Sequence, residues 1–592
     1  MKMINKPIFE IESHVDDFQS EGLPLLNITV LRNITLEPIM PYIRYLGLCM
    51  GYKVNLVFGD YDNVMQDILL SDSLLQDNTD CTMVFLKLET LSPGLIYRFA
   101  ELSSKELQYE VELVQNFIDT ALKGIRAKTN ALICWHGFEL PMYPTFGMQD
   151  FGSESMQVGI IEDLNRFLKR QLSLYNSCFY IDLNNIRSAI GYDNFHDNRY
   201  WNIAKAPYTL TALKNIAIDN FKLIRALKGK SKKCLVLDCD NTLWGGVVGE
   251  DSLNGIKLGP EHPGSTFYEF QQEILSLYHR GIIITLCSKN NEDDVWAVFD
   301  QHAHMLLKRE HISAYQINWD DKAKNIRNIA STLNIGLDSV VFIDDSEFEI
   351  NLINNTLPEV ETIQLKKERS FAYRATLASC GFFDTLSYTD EDRMRGRQYG
   401  AEVERKNSEG SFDGNIELYL KSLDMEANIE FANSATVKRV AQLTQKTNQF
   451  NLTTKRYSES DIEMFCASEE YVVLTVRLKD RFGDLGIVGC TIISLQDDVA
   501  YFDSFLLSCR AIGRGLEAVF LHSSLEVLTA LSITKFQSSF FPTLKNKQVE
   551  EFYPSFGFKL VTSNKDVRHY IADTSMLGEN KPSYFKKITI NS

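Results

Sequence analysis

Nowhere in this chain of 592 residues does an apolar run reach the roughly 18 positions that crossing a bilayer requires, so no membrane partner is expected. The opening stretch, MKMINKPIFEIESHVDDF, lacks the apolar core of a secretory signal. No CxxC pair occurs among the 11 cysteines, which are scattered without regular spacing. Free thiols and a reduced, cytoplasmic setting follow as the expectation. Positive charge is also scarce: 61 Lys and Arg stand against 78 Asp and Glu, for a net charge of -17. That balance argues against a nucleic-acid partner, although a local basic patch would survive the average. Internal repeats and low-complexity tracts are missing too.

What is present is ordinary globular composition, 44% hydrophobic and 23% charged, in a chain too long for one core. Residues 1–228 carry the short apolar runs LLNITVL, YKVNLVFG, CTMVFLKL, NALICWHGF and SCFYIDL, separated by helical patterns. They predict a parallel α/β domain. After the basic stretch RALKGKSKK, residues 229–395 repeat that pattern with KCLVL, GIIITLCSKN and SVVFIDD, a second α/β domain. A polar linker then leads to a helix near 413–423 and long strand patterns, which make 396–592 an α+β domain.

The segment KCLVLDCDNTLWGGVVGED runs a buried strand into two carboxylates. Alternation along a strand points Asp238 and Asp240 to one side and Cys239 to the other. Buried like charges are costly unless a cation lies between them, and oxygen ligands favour a hard ion such as Mg²⁺. Ligands of open parallel sheets bind beyond the strands' carboxyl ends. There this chain offers Asp238 with Asp240, Ser288, and Asp344 with Asp345. Lys322 opens a helical pattern where a cation can meet a phosphate; Lys324, two residues on, is the alternative.

These motifs, in this order, resemble the haloacid dehalogenase superfamily of aspartyl phosphatases: DxDxT at Asp238, Asp240 and Thr242, then Ser288, Lys322 and the acidic pair Asp344 and Asp345. The resemblance implies a Rossmann-like domain in which Asp238 attacks phosphorus and Asp240 protonates the leaving oxygen and then activates water. It also implies Mg²⁺ on the Asp238 carboxylate, the Asp240 main-chain oxygen and Asp345, with Asp344 behind. Ser288, Lys322 and Thr242 would hold the phosphoryl group. The tryptophan and two glycines after Thr242 narrow the resemblance to the FkbH-like branch (HAD-IIIC), as do QLTQKTNQFNLTTKRY, RFGDLGIVG, LSCRAIGRGLE and FYPSFGF further along.

Arg510, Gly513 and Gly515 form R-x-x-G-x-G before the helical pattern LEAVFLHSSLEVL, a place where main-chain N–H groups can meet a pyrophosphate. With Asn546 and Tyr553 in N-x2-V-x3-Y-x3-G-F, the C-terminal domain resembles GNAT N-acyltransferases. The cofactor implied is the phosphopantetheine arm of a carrier protein, or acyl-CoA, with Tyr553 near its sulfur. Cys509, beside Arg510, is the candidate thiol for a covalent relay, with Cys239 as the alternative or as a small core residue. Lys446, Lys455, Arg456, Arg510 and Arg514 are expected to dock an acidic partner.

The first domain resembles an SGNH hydrolase through Asp193 and His196 in D-x-x-H, but Arg32, Asn33 and Thr35 stand where the nucleophilic serine would be, so no hydrolase activity is expected. Taken with the family, the chain is expected to take a small phosphorylated acyl donor, implied to be 1,3-bisphosphoglycerate, and to load its glyceryl unit on an acyl carrier protein thiol for polyketide-type or related biosynthesis. The alternatives are a simple phosphatase and a scaffold whose outer domains only dock partners.

Overall fold

The structure, a computed structural model, describes residues 4–18, 22–70, 74–76, 78–386, 388, 405, 416–543, 545–564, 566–573 and 582–591. The five apolar runs of the first part form parallel strands β1 (Leu25–Arg32), β2 (Lys53–Phe58), β3 (Cys81–Phe85), β4 (Leu132–His136) and β5 (Cys178–Ile181), in the order β2-β1-β3-β4-β5. Every residue of β3 and β4 is buried. A parallel sheet covered on both faces by crossover helices requires such unbroken apolar runs. At the end of β4 the His136 ring stacks on Phe85, with centroids 3.5 Å apart. Its Nδ1 lies 2.9 Å from the Val84 carbonyl, and Nε2 lies 2.9 Å from Asn220 Nδ2. Burial pushes its pKa down to about 3. Met1–Lys228 with Ser458–Asp461 make one compact unit.

Gly229–Tyr457 with Ile462–Ser592 make the other, which holds two sheets. Strands β6 (Cys234–Leu237), β7 (Ile283–Ser288), β8 (Ile312–Ile317), β9 (Val340–Asp344) and β10 (Glu361–Gln364) run parallel in the order β10-β9-β6-β7-β8. The order reverses beside β6, and the crevice at such a reversal is where open α/β sheets hold their ligands.

The remaining sheet comprises β11 (Glu426–Phe431), β12 (Phe450–Asn451), β13 (Tyr471–Asp480), β14 (Gly483–Gln496), β15 (Val499–Leu507), β16 (Lys535–Phe540), β17 (Lys559–Ser563), β18 (Arg568–Asp573) and β19 (Lys587–Asn591). Its order is β17-β18-β16-β15-β14-β13-β11-β19, mostly antiparallel. The helix Leu516–Ala530 makes the crossover between the parallel pair β15 and β16. That pairing stops at Phe502 and Ser538; beyond it β12 pairs with Leu506 and Leu507 instead. Leu452 then bridges both neighbours, donating to Phe505 O at 3.2 Å and accepting from Phe541 N at 2.9 Å. The expected domain boundary at 395/396 lies outside the described residues.

Candidate active site

Asp238 follows β6, Ser288 ends β7, and Asp344 ends β9, so three neighbouring strands deliver them to one edge. Ser288 Oγ donates to Asp238 Oδ1 at 3.0 Å. Lys322 opens the helix Lys322–Thr332, and its buried Nζ bridges Asp238 Oδ1 at 2.7 Å and Asp344 Oδ2 at 2.6 Å. Lys324, by contrast, is exposed and pairs with Asp320. Carboxylate oxygens of Asp238, Asp344 and Asp345 lie within 4.8 Å of one another.

The charges there push on each other. Burial raises the Asp344 pKa to about 7, with Asp238 adding to the rise and Lys322 opposing it. Burial and then Asp238 raise Asp345 as well, against Lys367 at 3.2 Å. For Lys322, desolvation would favour the neutral amine, but the two carboxylates outweigh it and hold the ammonium charged. Three crowded carboxylate oxygen donors fit a hard divalent cation, and the buried Thr242 Oγ1, which has no hydrogen-bond partner, fits a phosphoryl oxygen.

The Asp240 carboxylate, expected to face the same site as Asp238, lies outside the cluster of Asp238, Asp344 and Asp345 oxygens but close enough for Asp238 to raise its pKa. The strand ends at Leu237, so simple alternation no longer applies, and the Asp240 carboxylate is drawn to other donors. Trp244 Nε1 at 2.9 Å and Val248 N at 3.1 Å hold Oδ1, while Asn290 Nδ2 at 2.8 Å holds Oδ2. Burial, the largest effect, still raises its pKa against these bonds. The turn that brings Trp244 back uses Asn241 at φ 54° and Gly246 at φ 100°, where a Cβ would lie 2.4 Å from Asp251 Oδ2. The W-G-G sequence thus serves to lock Asp240. Asn290, Trp244 in this role, and Lys367 were not foreseen; their partners are set by tertiary approach rather than by spacing.

Cys239 is wholly buried in the apolar core beneath the site, and burial raises its thiol pKa. Cys509 lies elsewhere. Its carbonyl accepts from Asn334 Nδ2 at 3.0 Å, and it neighbours Lys233 and Ser339, the residues just before β6 and β9. The five residue steps from Lys233 to Asp238, at ~3.3 Å each, amount to ~16 Å of strand. Cys509 therefore sits at the opposite edge of the sheet from Asp238, which is not the placement a direct relay would need.

The glycine loop also departs from its expected role. Gly515, at φ 71°, is overlaid by the C-terminal segment, and a Cβ there would meet Tyr584 Oη at 1.9 Å. The Glu517 carboxyl accepts from the main-chain N–H groups of Gly515 and Glu517, although burial raises its pKa against them, so the helix start already holds a carboxyl of its own. Gly513 is exposed. Asn546 is buried and consumed internally, donating to Asn451 O and Phe541 O while accepting from Thr543. Tyr553 is a core residue packed on Phe552, Phe558 and Tyr570. These arrangements do not fit a pyrophosphate at the helix start. Nor do the five basic residues form one exposed face: Arg510 and Arg514 are buried, Arg514 is paired with Asp480 at 3.3 Å, and Lys455 is paired with Asp503.

In the first unit, His196 Nε2 lies 2.7 Å from Glu139 rather than on Asp193, which is exposed. Glu139 also takes Lys87 at 3.0 Å and Tyr208 Oη at 2.7 Å. At the place of the missing serine, Asn33 is tied to the Lys87 main chain, Arg32 to Glu37, and Thr35 to Ala204 O.

Residues 233–369 match the family model described as NLI interacting factor-like phosphatase. Part of the chain resembles a solved N-terminal part of the protein BF1531 from Bacteroides fragilis, which contains a phosphatase domain complexed with Mg. Identity to it is 28% and the TM-score 0.57, with 64% of this chain and 99% of that one covered. The ribosomal-protein-S18-alanine N-acetyltransferase from Escherichia coli also matches, at 16% identity over 26% of this chain and 97% of its own, with a TM-score of 0.21. No curated protein matches the chain. Among the described residues, no helix is long and apolar enough to cross a membrane.

Proposed function

We propose that the chain is a Mg²⁺-dependent aspartyl phosphatase acting on a small phosphorylated acyl donor, whose acyl group goes to an acyl carrier protein thiol. The observation that carries the phosphatase reading is Lys322 bridging Asp238 and Asp344 while Ser288 holds the same Asp238 oxygen. With Oδ1 held twice, attack on phosphorus falls to Asp238 Oδ2: the O–P bond to aspartate forms as the P–O bond to the leaving group breaks. Asp240 gives its proton to the leaving oxygen, then takes one from the water that hydrolyses the aspartyl phosphate. Asp238, Asp345 and the main-chain oxygen of Asp240 would hold Mg²⁺. Bound there, the ion would offset the carboxylate charge and polarise the phosphoryl oxygens.

Acyl chemistry constrains which phosphate is removed. Attack by Asp238 on the phosphorus of an acyl phosphate would release a free carboxylate and lose the activation. A donor carrying both an acyl phosphate and a phosphate ester, such as 1,3-bisphosphoglycerate, avoids this. Asp238 removes the ester phosphate, and a thiolate attacks the acyl carbon with inorganic phosphate leaving. A second reading, phosphatase alone, is favoured by the closed glycine loop and by the position of Cys509.

The test uses Mg²⁺-loaded enzyme, the bisphosphorylated donor and a pantetheinylated carrier, with phosphate release and intact carrier mass both recorded. The proposal expects Asp238→Asn and chelation each to reduce ester hydrolysis by several orders of magnitude, and the wild type to add a glyceryl mass to the carrier. Hydrolysis with no carrier adduct would leave the phosphatase alone; near wild-type hydrolysis by Asp238→Asn would remove that reading too.

A further inference from the structure

A cleft of ≈ 290 Å³ opens ahead of β6 and β9, at the sheet edge opposite Asp238. One wall is that edge, and the other is the helix Val437–Lys446 with the turn at Ser508–Arg510. We propose that this cleft binds a small phosphorylated ligand. Among the described lining residues, five are cations, Lys233, Arg439, Lys446, Arg510 and Lys545, and one is a carboxylate, Asp338. That local excess stands against a chain whose net charge is -17, so it is not a sample of the average surface.

The cations are built into the fold. Arg439 and Arg510 are buried. Arg439 donates to the Ile487 carbonyl at 2.9 Å and 3.1 Å, and Lys233 donates to the Lys446 carbonyl. Asp338 takes Lys545, and although burial alone would raise its pKa, Lys545, Lys233 and Lys232 bring it below the usual range. It is thus ionised and still outnumbered. A cleft lined by several guanidinium- and ammonium-bearing residues suits a dianion with several acceptor oxygens better than a carboxylate.

Size and access limit the ligand further. The volume lies at the low end for ligand sites, enough for a phosphate with a short organic group and too little for a dinucleotide. The helix start at Gly515, the other anion site this loop could offer, is filled by Glu517 and covered by Tyr584. Anion recognition by the loop therefore falls to its Arg510 side, which lines the cleft. A carrier protein's phosphorylated arm and a free phosphorylated metabolite share this chemistry. The inference is independent of the phosphatase reading, since no residue of that site takes part.

Cys509 is half-buried and lines the cleft, so its alkylation reports occupancy there and not at Asp238. The full chain is treated with iodoacetamide in inorganic phosphate, 3-phosphoglycerate, 4′-phosphopantothenate, pantothenate, or sodium chloride at matched ionic strength, and each cysteine is mapped by peptide mass spectrometry. Phosphorylated probes should slow Cys509 alkylation saturably while the exposed Cys49 and Cys466 react unchanged. Pantothenate and chloride should give no protection. Lys446→Glu and Lys545→Glu should each raise the half-protecting concentration roughly tenfold or more. Stronger protection by 4′-phosphopantothenate supports a carrier arm as the occupant, and stronger protection by 3-phosphoglycerate supports a metabolite. Protection by chloride equal to that by phosphate, or none by any probe, overturns the proposal.

Discussion

Replacing Trp244 by Phe keeps an aromatic ring in the core but deletes the N–H that reaches Asp240 Oδ1 at 2.9 Å. A hydrogen bond to a charged group is worth ~1.5–3 kcal/mol, and losing it where the carboxylate must be oriented should slow turnover by roughly 10- to 150-fold. Asn290→Ala deletes the bond to the other oxygen, at 2.8 Å, with a similar expected loss. The two bonds clamp one carboxylate from opposite sides, so once either is gone the group can rotate and the second loss should cost less. A double-mutant cycle should show coupling of ~1 kcal/mol. Both donors favour the ionised carboxyl, so each deletion raises a pKa that burial has already raised and moves the acid limb of the rate profile to higher pH. The assay is phosphate release from a small ester across that limb. Turnover and limb position indistinguishable from wild type in both variants would refute the argument that Asp240 acts through this clamp.

His136 is neutral in the fold, its pKa lowered from 6.5 to about 3. Its contribution to stability should be whole above pH ~6.5 and be lost as pH falls toward ~3, at ~1.4 kcal/mol per pH unit, with the urea midpoint of the first unit tracking it and His136→Gln flattening the slope. Asp480 holds Arg405 at 2.7 Å and Arg514 at 3.3 Å; Asp480→Ala leaves two buried guanidinium groups without it and should cost ~3–5 kcal/mol, read as a lowered thermal midpoint. Gly513→Ala, where nothing lies within 4 Å of the new Cβ, should cost ~1 kcal/mol from its φ of 78° alone. Gly515→Ala should cost more in the same thermal assay, because its Cβ meets Tyr584; equal midpoints would show that the C-terminal segment yields freely.

The sheets and the acidic edge were legible because they depend on local pattern. Buried parallel strands need apolar runs, and Asp238, Ser288 and Asp344 sit where those runs stop. Lys322 was separable from Lys324 only by the turn into its helix, which aims one inward and the other at Asp320. The clamp on Asp240 was not legible, since Trp244 and Asn290 come from different loops and meet it only after β6 and β7 pair. The glycine motif misled for a similar reason: the pattern specifies a turn before a helix, but Glu517 and Tyr584 decide whether anything else can bind there.

The bridge made by Leu452 has a consequence for synthesis. Asn546 secures it by bonding Asn451 O from 95 residues away, so the seal over Phe505–Leu507 cannot close until that asparagine exists. From Leu507 to Asn546 is 546 − 507, or 39 residues, which at ~5–20 residues per second leaves an apolar strand edge bare for roughly 2–8 s on each translating ribosome. During that interval the nascent chain presents an unpaired β edge to its neighbours on the polysome. Slowing translation within this stretch should lengthen that exposure and lower soluble yield without changing the folded product.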